Sequence, residues 1–229
     1  MLDALNIKQA VFLGHSMGVQ LILEFALRCP QRILGLVPMC GSYGHPLTTF
    51  HHTDLLARGL PTIRQIVRRF PGAVQWLWSR AMTTELVYQV SSYLEVNHSL
   101  IRREDLEFYF EHLATMDVQA FVTTLEQLNE HTVEDRLGEI DIPTLIVAGE
   151  RDTFTPSRLS HRMHQLIKNS QLLMIPGGTH VAPIEIPELV HLRLREFLAG
   201  LKYPRAKAVG GARSRSRTKK KNQPPTSVR

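Results

Sequence analysis

Long apolar runs are missing from this 229-residue sequence. None approaches the roughly 20 residues that a membrane-spanning helix needs. The opening MLDALNIKQ lacks the basic start and apolar centre of a secretory signal. The expected location is therefore the cytoplasm. Cysteine is scarce, with only Cys29 and Cys40. Two are too few for a disulfide scaffold, and their spacing matches no metal site. Both read as free thiols packed as small apolar groups. Acidic residues are absent from 202–229, a stretch that holds ten Lys or Arg.

That last absence changes the meaning of the net charge of +6. Residues 1–201 carry 17 basic and 21 acidic groups, a net of −4. The body is mildly acidic and the basic character sits in the tail. With Gly, Pro and Ser and almost no apolar periodicity, the tail reads as disordered. It is a solvated appendage on this reading, with weak salt-sensitive contact to nucleic acid or anionic surfaces as the alternative.

What remains alternates between short apolar runs and helical patterns. Residues 2–9 read as the end of a helix. Ala10–Leu13 reads as a buried strand, Gly14–Gly18 as a turn, and Val19–Arg28 as a helix with Leu21, Ile22, Phe25 and Ala26 on one face. Ile33–Met39 is a second strand. From Leu47 to Glu134 the strand signals fade. IRQIVRRF, AVQWLWSRAM, EDLEFYFEHLATM and VQAFVTTLEQLNE instead predict an inserted group of helices. Strands return at Pro143–Ala148 and Leu172–Ile175. A helix between them is expected to start with Thr155 as N-cap and Pro156 at its first position. Pro187–Leu198 closes the pattern. The fold class is α/β, a parallel sheet interrupted by a helical cap. The expected boundaries are 1–46 and 136–201 for the core, 47–135 for the cap and 202–229 for the tail.

Three segments carry chemistry. GHSMG, residues 14–18, fits G-x-S-x-G between a strand and a helix. Such a turn holds Ser16 at its tip, and Gly14 and Gly18 are expected to leave room where side chains would clash. The helix N-terminus favours negative charge there, and the backbone N–H of Met17 is a candidate oxyanion donor. In LIVAGERDTFTP, Asp152 follows a strand and could hold a histidine's Nδ1–H, with Glu150 as a competitor. In IPGGTHVAP, His180 follows a strand through a glycine pair. The chain order Ser, Asp, His is that of α/β-hydrolases.

On GHSMG, GERDTFTP and GGTHVAPIEIPELV, the chain resembles the α/β-hydrolase superfamily over about residues 2–199. The resemblance implies Ser16 as nucleophile, Asp152 as acid and His180 as base. Attack on a carbonyl, an acyl-enzyme and its hydrolysis follow, with no metal or organic cofactor required. A serine elbow fits esters, thioesters, lactones or activated C–C bonds. It argues against epoxide hydrolases and haloalkane dehalogenases, which place Asp there. The expected partner is a small-molecule acyl substrate. Trp76, Leu77, Trp78, Phe108, Tyr109 and Phe110 would line an acyl pocket or, as the preferred reading, pack cap helices together. Arg28, Arg32 and Arg151 read as solvated.

The family fold usually opens with strands and a His-Gly loop ahead of the elbow, and the sequence has neither. Gly44-His45 comes after the elbow and in reverse order. The expectation is a partial α/β-hydrolase fold whose elbow strand has an open edge, suited to a homodimer. Two functions follow: a serine hydrolase of the carboxylesterase or lipase kind, or a truncated, catalytically weak remnant or binding protein that retains the triad.

Overall fold

The computed structural model describes residues 1–48, 53–97, 99–101 and 103–203. The basic stretch 204–229 lies outside the described residues, and with it the reading of the tail.

Four strands form one parallel sheet in the order β1-β2-β3-β4. They are β1 (Ala10–His15), β2 (Ile33–Met39), β3 (Thr144–Gly149) and β4 (Ser170–Ile175). All three pairings are parallel, with Leu13 opposite Val37 and Ile146 opposite Leu172 among the partners. All six residues of β3 are buried, which explains its unbroken apolar run. β1 pairs only with β2 among the described residues, and Leu13 is 48 % exposed. Among the described residues β1 is thus an edge strand of the sheet.

Helices cover both faces. On one side pack α1 (Met17–Arg28) and α7 (Ser157–Leu166). Their residues Val19, Leu23, Ala26 and Met163 join Leu36 and Ile146 in one core cluster. On the other side lie α8 (Ala182–Glu185) and α9 (Pro187–Gly200), which bury Val190 and Phe197 against Val37, Leu145 and Val147. Leu21, expected on the inward face of α1, is 61 % exposed. The inward stripe runs through Val19, Ile22, Leu23 and Ala26 instead, at i, i+3, i+4 and i+7.

Between β2 and β3 the chain forms α2 (Leu55–Arg69), α3 (Pro71–Met82), α4 (Glu85–Glu95), α5 (Arg103–Thr115) and α6 (Val118–Glu130). Four match the predicted helical segments. The fourth in order, α4, was not singled out, because ELVYQVSSYLE places β-branched residues and a serine pair in the helix. The first residues, expected as a helix end, form a single 3₁₀ turn at Asp3–Leu5. Arg28 pairs with Glu24, and Arg32 ties Asp3 (2.7 Å) and the carbonyls of Ile7 and Lys8 to the start of the sheet. Arg32 thus has a structural role rather than a solvated one.

Candidate active site

The turn between β1 and α1 is strained. Ser16 has φ 53° and ψ −117°, a conformation that costs a non-glycine residue about 1–3 kcal/mol. Its neighbours impose it. Ser16 N–H donates to the Met39 carbonyl (3.0 Å), and the Ser16 carbonyl accepts from Val19 N–H (3.0 Å). A Cβ on Gly14 would stand 2.5 Å from the Gly18 carbonyl oxygen. A Cβ on Gly41 would stand 2.6 Å from the Ser16 carbonyl oxygen and 2.3 Å from Val19. Glycine is therefore required at both places. Gly18 differs from expectation: a Cβ there meets nothing within 4 Å. The turn crowds Gly14 against the backbone of Gly18, not the reverse.

Asp152 follows β3 and is buried. Its Oδ1 accepts from the N–H groups of Phe154 (2.9 Å) and Thr155 (2.8 Å), and its Oδ2 accepts from the Thr155 hydroxyl (2.8 Å). His180 follows β4, and its Nδ1 lies 3.0 Å from Asp152 Oδ2 and 3.2 Å from Oδ1. Against a carboxylate, Nδ1 carries the hydrogen, which leaves Nε2 as the acceptor. The Ser16 hydroxyl lies 2.8 Å from that Nε2. The Phe154 ring stacks on the imidazole with centroids 4.8 Å apart. The three residues singled out in the sequence thus form one continuous hydrogen-bonded chain.

Two neighbouring expectations change. Glu150 does not compete for the histidine; its carboxylate accepts from Gly177 N–H (2.8 Å) and braces the glycine pair. Thr155 is not a helix cap. α7 begins at Ser157 after Pro156, without a side-chain cap. The Thr155 hydroxyl donates to Asp152, a charge-assisted bond, and it caps nothing because Pro156 occupies the N-cap position.

Several supporting groups escaped sequence reasoning. His15 Nε2–H donates to the carbonyl of His180 (2.9 Å), and the two rings lie 5.1 Å apart. Burial, and then the neighbouring His180, hold its pKa below the usual histidine value. Glu185 is also buried. Its carboxylate accepts from Thr179 N–H (2.7 Å), the Thr179 hydroxyl (2.8 Å) and Asn97 N–H (2.8 Å). Asn97 Nδ2 in turn donates to the Gly177 carbonyl (2.9 Å). Glu185 thus ties the histidine loop to the helices between β2 and β3. The only signal was a lone acid within the apolar run VAPIEIP. Gln20, buried on α1, donates to the carbonyls of Leu128 (3.0 Å) and His131 (3.1 Å) and makes a second such tie.

Above Ser16 lies a cavity of about 400 Å³. Its walls come from α2, α3 and α6, including Leu60, Val67, Val74, Trp78, Phe121 and Leu125, with Ser16, Thr155 and His180 at its polar end. Among the described residues, no Arg, Lys, Asp or Glu lines it. Of the six aromatic and aliphatic candidates, only Trp78 faces this space. Its indole N–H donates to the Leu113 carbonyl (2.7 Å), so it serves packing as well. Phe110 packs against the rings of Tyr88 and Tyr109. Trp76, Leu77, Phe108 and Tyr109 are exposed. Met17, the candidate oxyanion residue, opens α1 and lines the cavity. A first-turn N–H there has no partner within the helix. Among the described residues, no group of three or more His, Cys, Asp or Glu could hold a metal ion.

Known proteins share this architecture. YugF, an uncharacterized hydrolase of Bacillus subtilis (strain 168), is 28% identical over 198 residues, 86% of this chain and 68% of its own. A 2-hydroxy-6-oxononadienedioate/2-hydroxy-6-oxononatrienedioate hydrolase of Paraburkholderia xenovorans (strain LB400) is 30% identical over 205 residues, 87% of this chain and 65% of its own. The chain thus spans about two thirds of the length of these curated relatives. Among solved structures, a thermophilic esterase from Thermogutta terrifontis superposes with a TM-score of 0.63 at 22% identity, over 86% of this chain and 68% of that one. At that identity the likeness concerns the fold. Residues 1–187 match the alpha/beta hydrolase fold family as a whole, elbow and histidine segment included. The chain belongs to the α/β-hydrolase fold family.

Proposed function

We propose that the protein is a serine hydrolase acting on an ester-like carbonyl whose acyl part is uncharged and apolar. The carrying observation is the hydrogen-bonded chain from Ser16 Oγ through His180 to Asp152, at the polar end of an apolar cavity. On this reading His180 Nε2 takes the proton as Ser16 Oγ attacks the carbonyl carbon. Asp152 holds the tautomer and stabilises the imidazolium. His180 then protonates the leaving group, and an acyl-enzyme remains. The Met17 N–H and the start of α1 stabilise the oxyanion. Water, deprotonated by His180, releases the acid.

The cavity narrows the substrate class. The Paraburkholderia relative is named for a substrate with two carboxylates. Among the described residues no Arg or Lys lines the cavity, and an unpaired carboxylate buried among leucines and valines costs several kcal/mol. A neutral acyl chain suits these walls better. Since the chain spans about two thirds of these relatives, turnover by these residues is itself part of the proposal. So is a homodimer formed through the open β1 edge, which light scattering would detect.

A fluorophosphonate probe tests the nucleophile: it should label the wild type and not Ser16→Ala. Equal labelling of both overturns the assignment. With p-nitrophenyl esters of increasing chain length, kcat/KM should rise by up to about fourfold per methylene until the cavity is filled. A preference for a carboxylate-bearing acyl group would overturn the substrate class.

A further inference from the structure

Helix α3 is apolar on both faces. Its inner face is occupied: Val74 and Trp78 line the cavity. Gln75 donates to the Met116 carbonyl (3.0 Å) and Ser79 to the Ala114 carbonyl (2.8 Å), which fixes the helix on its neighbours. Its outer face should then be polar. Instead Phe70, Ala73, Leu77 and Arg80 recur there at helical spacing, with Trp76 beside them, and all are exposed. Phe70 is 54 %, Trp76 65 % and Leu77 61 % accessible to solvent.

The chain segment that carries this stripe is charged with one sign, although Glu85, Glu107 and Glu111 gather beside Met82 at its far end. Residues 55–82 contain five arginines and no Asp or Glu. Arg58 pairs with Asp54 (2.7 Å) and Arg64 with Glu126 (2.6 Å). Arg68, Arg69 and Arg80 have no carboxylate partner among the described residues. The Arg69 guanidinium lies 5.2 Å from the centre of the Phe70 ring. Bulky apolar side chains between arginines are the pattern of a helix that lies in a lipid headgroup region. A second copy seated here would bring like charges together. Nucleic acid would satisfy the arginines but leave Leu77 and Phe70 without an apolar partner.

We propose that the outer face of α3, flanked by Arg68, Arg69 and Arg80, docks on an anionic lipid surface. The docking stands on this surface alone. Its use rests on the reading given under Proposed function: one helix, about 10 Å across, would separate the lipid from the acyl cavity, so a lipid-derived acyl chain would have a short path to Ser16.

Trp76 is a built-in reporter. The full-length chain is mixed with phosphatidylcholine vesicles, with or without phosphatidylglycerol, and tryptophan emission and acrylamide quenching are followed. Anionic vesicles should shift the emission to the blue and protect it from quencher, and zwitterionic ones should do so far less. The change should vanish in Trp76→Phe, which keeps Trp78. Arg68→Gln with Arg69→Gln should weaken it by about fivefold per arginine. Sedimentation with vesicles without any change in Trp76 would place the contact in the basic tail and overturn the proposal. So would a change that survives in Trp76→Phe or is untouched by the arginine variants. Equal protection of Trp76 by duplex DNA would assign the face to nucleic acid. Protection that grows with protein concentration alone would assign it to a second copy. Fluorophosphonate labelling of Ser16 is read separately, so failure of docking and failure of the hydrolase reading are distinct results.

Discussion

Replacing Glu185 should loosen the histidine loop without touching the proposed triad. Its carboxylate, buried beneath that loop, takes three hydrogen bonds, two from Thr179 and one from Asn97. In Glu185→Ala all three donors lose their acceptor. An unsatisfied buried donor costs about 1–3 kcal/mol, and Asn97, only half buried, can recruit water. The expected loss is about 3–6 kcal/mol, or roughly 6–24 °C in Tm for a chain of this size. Glu185→Gln keeps one carbonyl oxygen but sets an NH₂ against a donor. Its better orientation keeps Thr179 N–H, lets the Thr179 hydroxyl rotate to accept, and gives up Asn97, for about 1–3 kcal/mol. Urea titration should show the lower midpoint with an unchanged slope. Because Thr179 precedes His180 directly, turnover by folded Glu185→Gln should fall more than its folded fraction does. A Glu185→Ala protein within about 1 kcal/mol of wild type would refute the reasoning, since no buried donor would then have been orphaned.

The elbow glycines should separate. Gly14→Ala forces a Cβ to 2.5 Å from the Gly18 carbonyl oxygen and should abolish fluorophosphonate labelling, whereas Gly18→Ala in this chain should label normally and gain up to about 1 kcal/mol in helix propensity. Equal loss in both would contradict the geometry. The thiols should also differ: burial pushes the Cys40 pKa up to about 12, so iodoacetamide at pH 8 should modify only half-buried Cys29 in the native protein, and both after unfolding. Native labelling of Cys40, read by mass spectrometry, would show that its site opens. His15 is held below its usual pKa, so the unfolded chain binds the extra proton first. Stability should be independent of this group above about pH 6.5 and fall as pH drops below it. His15→Gln, which retains a donor for the His180 carbonyl, should flatten that decline in denaturation midpoints between pH 5 and pH 7, and an unchanged slope would remove His15 as its source.

Much of this protein was legible one segment at a time. Each strand is a short apolar run bounded by turn residues, so β2 and the body of β3 follow from local pattern. The elbow is local too, because Gly14, Ser16 and the start of α1 lie within five residues of one another. The order of Ser16, Asp152 and His180 after successive strands could be read because a parallel sheet delivers the ends of its strands to one edge. Other features depend on groups far apart in sequence. Thr155 reads as a helix cap, yet α7 starts one residue later than that reading needs, and the Thr155 hydroxyl donates to Asp152. Glu185 and Asn97 are 88 residues apart, and nothing near either announces the other. Gly18 looks constrained by its motif, yet the crowding falls on Gly14. In α3 the periodicity shows an apolar helix but not which apolar face is covered. Packing against α5 and α6 and around the cavity chose Val74 and Trp78, and left Phe70, Trp76 and Leu77 in water. Local pattern sets which elements form, because backbone geometry and side-chain period act within a few residues. Tertiary packing sets which polar groups must find partners, because only burial makes an unpaired group costly.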